Sequence, residues 1–181
     1  INNVIYYPLK PALSYVDENG VFQMMTWTDL FYACNQIARS LLALGHQKGD
    51  KVSIYSFNRK EWYLCYLAVF LISGVAVSIY HTNSSEEAAF ILNQSDTKYV
   101  FVGHNPQWNH EEWRTPRYRL EKALQTCANI QNCIMMDAGL SSENSKFMSW
   151  DCFIQIGNNV NNNDLIKRSK KINSHDTAAL I

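Results

Sequence analysis

The stretch from Trp62 to Tyr80, WYLCYLAVFLISGVAVSIY, contains no charged side chain and constrains the fold more than any other part of the chain. Its length alone is that of a membrane-spanning helix. Its composition changes at Ser73-Gly74, where long-chain and aromatic residues give way to the β-branched run VAVSI. This change predicts a buried helix that ends near the glycine, followed by a buried parallel strand. We therefore expect a core helix and a core strand here, and not a membrane span.

The composition is that of a globular domain without a general attraction to polyanions. The chain has 181 residues, 47% of them apolar, and its 16 Lys and Arg balance its 16 Asp and Glu. This balance disfavours a nucleic-acid-coating role or a polybasic membrane role. The five cysteines are scattered and odd in number, which predicts reduced, mostly buried thiols. The first ten residues lack the pattern of a secretory signal, so a cytoplasmic protein is expected.

Turn and capping residues indicate a hairpin followed by alternating helices and strands. Asn19-Gly20 favours a tight turn, and Thr26 with Asp29, like Ser84 with Glu87, forms a capping-box pattern. The predicted strands are 13–16, 21–25, 52–57, 75–80, 99–102 and 133–136. The predicted helices begin at Thr26, at Asn58 as the cap of a helix to about Ile72, at Ser84, and around Leu120–Cys127. The alternation predicts an α/β fold with a mainly parallel sheet and helices on both faces.

We expect one incomplete domain over residues 1–181, with a β-hairpin at 1–25, an α/β core at 26–137, and an irregular region at 138–181 leading into a truncated strand. The asparagine-rich stretch from Asn158 to Asp164 is interpreted as a polar loop. The last residues, from Asp176 to Ile181, form an apolar run without a turn or tail after it, which suggests a cut chain.

Common catalytic and phosphate-binding motifs are absent from the sequence. The seven glycines are too far apart for G-x-G-x-x-G or a Walker-type loop, and neither G-x-S-x-G nor H-E-x-x-H occurs. His104 and His110, beside Glu111 and Glu112, have no standard metal-site spacing, so a solvated loop is favoured over a metal site.

Two further histidine positions are candidate site residues. His175-Asp176 offers two members of a catalytic triad, but a turn before a strand explains this pair more simply. His81 follows a strand at the edge where open α/β sheets bind ligands, which makes it a candidate contact.

A cluster of cations occurs at a predicted loop-to-helix junction. It contains Arg114, Arg117, Arg119 and Lys122, with Tyr118 among them. Guanidinium groups at a helix start can hold a phosphate. A solvated helix start, with Glu111, Glu112 and Glu121 as ionic partners, is the favoured alternative.

Three stretches of the chain resemble the front of the adenylate-forming superfamily, and specifically the long-chain fatty acyl-CoA synthetases. They are TWTDLFYACNQIARSLLALGHQKGDKVSIYSFNRKEW, FLISGVAVSIYHTNSSEEAAFILNQSDTKYVFV, and the tail KKINSHDTAALI, which resembles the approach to the family's phosphate loop. SWDCFIQIG resembles the short helix before that tail. Lys60 and Ser78 depart from the family's common prolines, and the segment from His104 to Tyr118 is longer than usual.

The resemblance implies the first part of the large N-terminal domain of a long-chain fatty acid–CoA ligase. It implies ATP, Mg²⁺ and CoA as cofactors, with their sites mostly outside this chain, and a fatty acid as substrate. It places no catalytic residue and no metal ligand on the chain, which is expected to be inactive alone. It also implies contacts of Arg114, Arg117 or Arg119 with the 3′-phosphate of CoA.

Several alternatives stay open from the sequence. They are an adenylate-forming ligase for aryl or medium-chain acids, and a non-catalytic α/β binding module. For the whole protein, a peripheral contact with the inner face of the membrane and a homodimer also stay open.

Overall fold

The computed structural model describes residues 2–17, 19–103, 115–137 and 144–181. The elements of these ranges are, in chain order, α1 (Asn2–Tyr6), β1 (Pro11–Val16), β2 (Phe22–Thr26), α2 (Trp27–Ala43), β3 (Lys51–Ser56), α3 (Lys60–Leu71), β4 (Val75–Tyr80), α4 (Ser85–Gln94), β5 (Thr97–Val102), α5 (Pro116–Ala123), β6 (Asn132–Met135), β7 (Phe147–Ser149), α6 (Trp150–Ile156), a 3₁₀ turn (Gly157–Asn159), α7 (Asn162–Ser169) and β8 (Ala179–Leu180).

Six strands of the described residues form one parallel sheet in the order β7-β6-β5-β3-β4-β8. The strands β1 and β2 form a separate antiparallel hairpin. In its turn, the Asp17 carboxylate accepts hydrogen bonds from the backbone N–H groups of Asn19 and Val21, and Gly20 has a φ of +78°. The predicted fold class, a mainly parallel sheet with an N-terminal hairpin, is confirmed.

Helices cover both faces of the sheet, as predicted, because alternate residues of each strand point to opposite faces. In β5, Tyr99 and Phe101 belong to the core beneath α2 and α3. Val100 and Val102 belong to the core beneath α4 and α5.

The uncharged stretch divides into α3 and β4, as its change in composition predicts. The residue with left-handed backbone is Ser73, at a φ of 58°, and not Gly74. Gly74 is required for another reason: a Cβ there would lie 2.7 Å from Nε2 of His46 and 2.8 Å from Cγ1 of Val69. Among the described residues, no helix has both the length and the apolar character needed to cross a membrane.

Two of the three predicted caps are confirmed. Thr26 with Asp29 and Ser84 with Glu87 both form complete capping boxes. The prediction of Asn58 as a cap is wrong. The N-cap of α3 is Arg59, which makes no side-chain capping bond, because a guanidinium has no acceptor atom for the N–H groups of the first turn.

Three further predictions need correction. The helix predicted around Leu120–Cys127 begins earlier, at Pro116, because the Thr115 hydroxyl caps it. The predicted polar loop from Asn158 to Asp164 contains the 3₁₀ turn and the first turn of α7, whose cap is Asn161. The range 138–181 was predicted as irregular, but its described part, 144–181, contains β7, α6, α7 and β8.

The cysteines agree with the prediction of reduced and mostly buried thiols. Cys34, Cys65, Cys127 and Cys133 are buried and free, and Cys152 is exposed and free. Burial raises the pKa of both Cys34 and Cys133 to about 12. These buried thiols are therefore protonated and weakly nucleophilic at neutral pH.

Candidate functional site

The carboxyl edge of the sheet is where a parallel α/β fold places its ligands. The chain passes from β3 to β4 on one side, and then returns to β5 on the other side of β3. Such a reversal of strand order opens a crevice outside the carboxyl ends of the strands. The described residues that directly follow β3, β4, β5 and β6 therefore border the candidate site.

An open groove of about 520 Å³ lies at this edge, between the turn after β4 and the start of α5. It is lined by Thr82, Ser84, Ser85, Glu86, Tyr118, Arg119 and Lys122. Hydroxyl groups and two cations thus face one space, with a single carboxylate among them. This lining suits a phosphate group, which accepts hydrogen bonds from hydroxyls and guanidinium groups alike.

Of the three arginines predicted as phosphate contacts, the structure describes Arg117 and Arg119 and places them differently. Arg119 lines the groove, and its Nη1 donates hydrogen bonds to the backbone carbonyls of His81 at 3.2 Å and Asn83 at 3.0 Å. Arg117 instead pairs with Glu121 one helical turn away, at 3.4 Å between Nε and Oε1. Arg114 lies outside the described residues. Arg119 is therefore the predicted arginine with the best geometry for a ligand in the groove.

The turn from His81 to Asn83 is held from two directions. Arg119 donates to it from α5, and the hydroxyl of Tyr55 donates to the Asn83 carbonyl from β3, at 2.5 Å. Burial raises the pKa of Tyr55, although the nearby Arg119 opposes this, so the hydroxyl keeps its proton at neutral pH. His81 itself takes part through its backbone carbonyl.

A second polar cluster crosses the carboxyl ends of β3, β5 and β6. Nε of Arg59 lies 2.7 Å from the Glu61 carboxylate, and Nη1 pairs with the Asp137 carboxylate. All three side chains are largely buried. Burial works against the charged guanidinium, but the two carboxylates outweigh it and raise the pKa of Arg59.

Gly103, which follows β5, allows this crossing. A Cβ at Gly103 would lie 2.6 Å from the Ser56 hydroxyl and 3.1 Å from Nη1 of Arg59. A side chain at this position would collide with the Ser56 hydroxyl and crowd the Arg59 guanidinium, which crosses here from β3 towards β6.

The His175-Asp176 pair does not join the groove. Asp176 forms an ion pair with Lys48, at 2.6 Å, and the hydrogen bond from Lys48 lowers the pKa of Asp176. The His175-Asp176 pair belongs to the turn that enters β8, as the simpler interpretation predicts, and so lies at the opposite edge of the sheet. His104, His110, Glu111 and Glu112 lie outside the described residues.

Sequence reasoning missed Tyr55 and the hydroxyl-bearing wall of the groove. Tyr55 lies within an apolar strand pattern, which by itself indicates only a core position. The available signal that Tyr55 belongs to the site was its position, one residue before the carboxyl end of β3. Its contact with Asn83 depends on the pairing of β3 with β4, which the sequence pattern leaves open.

Comparison with known proteins gives a consistent family. Residues 3–181 match the AMP-binding enzyme family. The chain is 28% identical over 153 residues to long-chain-fatty-acid–CoA ligase ACSBG2 of Rattus norvegicus, a match that covers 84% of this chain and 21% of that protein. It is 39% identical over 81 residues to long-chain-fatty-acid–CoA ligase FadD15 of Mycobacterium bovis, over 42% of this chain and 14% of that protein.

The fold is also that of a solved ligase structure. Coronafacic acid ligase from Pectobacterium brasiliense superimposes with a TM-score of 0.71 at 16% identity, over 85% of this chain and 28% of that one. The chain thus spans about a quarter of the length of the proteins it matches. Since the family match extends over nearly every residue, this chain belongs to the AMP-binding enzyme family.

Proposed function

We propose that the whole protein containing this chain is a long-chain fatty acid–CoA ligase, and that the groove at the end of β4 holds the 3′-phosphate of CoA. The family match and the long-chain ligases among the relatives support the reaction class. Arg119 in the hydroxyl-lined groove is the observation that carries the assignment of the site. The cytoplasm is the proposed compartment, because the buried cysteines are free thiols.

The proposed reaction has two steps. A carboxylate oxygen of the fatty acid attacks the α-phosphorus of ATP, the bond to the β-phosphate oxygen breaks, and pyrophosphate leaves. The CoA sulfur, after losing its proton to solvent, then attacks the acyl carbon, the bond to the AMP oxygen breaks, and AMP leaves. Arg119 and Lys122 would act in the second step by holding the distant phosphate of CoA.

Magnesium is implied by the resemblance as the metal of the first step. Across ranges 2–17, 19–103, 115–137 and 144–181, no group of three His, Cys, Asp or Glu side chains converges on a metal position. We assign none of these residues to the metal.

The groove proposal is tested with Arg119→Gln in the full-length protein. An arginine contact with phosphate contributes about 1.5–3 kcal/mol. We therefore expect the KM for CoA to rise about 10- to 100-fold, with fatty-acid-dependent exchange of pyrophosphate into ATP unchanged. The KM for 3′-dephospho-CoA should change little, because that substrate lacks the phosphate.

Two matched variants sharpen the test. Arg117→Gln should have a smaller effect, because Arg117 is paired with Glu121. Arg39→Gln removes a half-buried guanidinium on α2 that bonds Asn162 at 3.0 Å, and it should leave the KM for CoA unchanged. Equal KM values for CoA and 3′-dephospho-CoA in the unaltered protein would refute the phosphate site. No pyrophosphate exchange with any fatty acid would refute the ligase.

A further inference from the structure

The groove depends on a contact made by a residue that does not line it. Tyr55 is fully buried in β3, yet its hydroxyl donates a hydrogen bond to the Asn83 carbonyl beyond the end of β4, at 2.5 Å. Arg119 donates to the same carbonyl oxygen at 3.0 Å. One backbone carbonyl therefore connects the central strand, the turn after β4 and the helix that carries Arg119.

The geometry of this shared carbonyl determines where the groove residues lie. A carbonyl oxygen has two lone pairs, so it can accept from both donors at once. Asn83 lies between Thr82 and Ser84, which both line the groove. A guanidinium has five N–H donors, and Arg119 uses Nη1 for the turn, which leaves other donors to meet a ligand.

We propose that Tyr55 is a positioning residue for the CoA site, acting by fixing the Asn83 carbonyl and, through it, both the turn and the guanidinium of Arg119. This inference rests on the proposed function. Without the hydroxyl, the Asn83 carbonyl accepts one hydrogen bond instead of two. The turn and the Arg119 side chain then become more mobile, and binding the phosphate has to restrict this motion. This mobility weakens the binding of CoA and does not affect the chemical step, so KM rises and kcat is unchanged.

The chain offers a closely matched control in Tyr99. Tyr99 lies in the neighbouring strand β5 and is also almost completely buried. Its hydroxyl also donates to a backbone carbonyl, that of Leu44, at 3.2 Å. Leu44 follows α2 at the opposite edge of the sheet, away from the groove. The substitutions Tyr55→Phe and Tyr99→Phe therefore remove the same hydroxyl from two buried tyrosines that each donate to a backbone carbonyl.

The experiment compares both variants in the full-length protein, with CoA and with 3′-dephospho-CoA. For Tyr55→Phe we expect the KM for CoA to rise about three- to tenfold, the usual effect of one hydrogen bond. The kcat, the KM for 3′-dephospho-CoA and the rate of pyrophosphate exchange should be unchanged. Tyr99→Phe should leave all four quantities unchanged, although both variants should unfold at a similarly lower temperature.

Each outcome has a distinct meaning. An unchanged KM for CoA in Tyr55→Phe, or an equal rise in Tyr99→Phe, would overturn the positioning role while leaving the ligase and its phosphate site intact. A protein that does not distinguish CoA from 3′-dephospho-CoA would instead refute the phosphate site itself. Circular dichroism verifies that Tyr55→Phe is folded. Tyr55→Met, which also lacks a hydroxyl but has a smaller and more flexible side chain, should reproduce the rise in KM.

Discussion

The buried His46 should make the fold sensitive to mild acid. Its side chain is 1% exposed, neither ring nitrogen has a hydrogen-bond partner within the described part of the chain, and the ring packs against that of Tyr99 with centroids 5.8 Å apart. Burial is the main cause that lowers the pKa of His46 from 6.5 to about 4; Asp50 partly opposes this shift, and the positive charges of Arg168 and Lys98 contribute to it. The imidazole is therefore neutral in the folded protein at neutral pH.

The sign and size of the effect follow from proton linkage. Above pH 6.5, His46 is neutral in both the folded and the unfolded chain, so it imposes no penalty. Below that pH the unfolded chain binds a proton that the folded one excludes, and the free energy of unfolding decreases by about 1.4 kcal/mol for each pH unit. Between pH 7 and pH 5 this amounts to about 2 kcal/mol, and the loss levels off near pH 4.

The assay is urea unfolding followed by tryptophan fluorescence at pH 7, 6 and 5. We expect the unaltered protein to lose about 2 kcal/mol more than His46→Leu between pH 7 and pH 5, because leucine has no proton to bind. Carboxylates with lowered pKa values that do not interact with His46 contribute equally to both proteins. The exposed His175 provides the control, since His175→Leu should behave like the unaltered protein. Equal losses in the unaltered protein and His46→Leu would refute the reasoning.

Three further outcomes are expected. Gly103→Ala should lower the free energy of unfolding by about 1–3 kcal/mol, because its Cβ would lie 2.6 Å from the Ser56 hydroxyl and 2.9 Å from Cε of Met136; a urea midpoint like that of the unaltered protein would contradict this close approach. Ser84→Ala should lower the free energy of unfolding by about 1 kcal/mol, whereas Asn58→Ala should change it by no more than about 0.5 kcal/mol. Equal losses of stability in the two variants on thermal unfolding would be evidence against the observed caps. The 181-residue chain alone should not catalyse fatty-acid-dependent pyrophosphate exchange, because its seven glycines form no phosphate loop; exchange above the background without fatty acid would disprove this.

Local signals in the sequence were sufficient for most elements of the fold. The capping pairs at Thr26 and Ser84 act over three residues, so their partners are visible in the sequence itself. The predicted strand 75–80 agrees with β4 at both ends, because the change to β-branched residues after Ser73-Gly74 marks its start. The prediction at Asn58 failed for a tertiary reason. Arg59 pairs with Glu61 and with Asp137, seventy-eight residues away, and its backbone takes the capping position.

The candidate site also combines local features, which the sequence pattern predicts, with long-range contacts, which it does not. The alternation of helices and strands, the parallel sheet and the arginines near the start of α5 could be predicted from the sequence, because they depend on periodicity and neighbouring residues. The fold was needed to show that Arg119 lines the groove while Arg117 pairs with Glu121. Only it brought the Tyr55 hydroxyl to Asn83, twenty-eight residues away. The physical reason is that strand order and register determine which side chains meet at the sheet edge, and residues distant in the chain are paired only when the sheet forms.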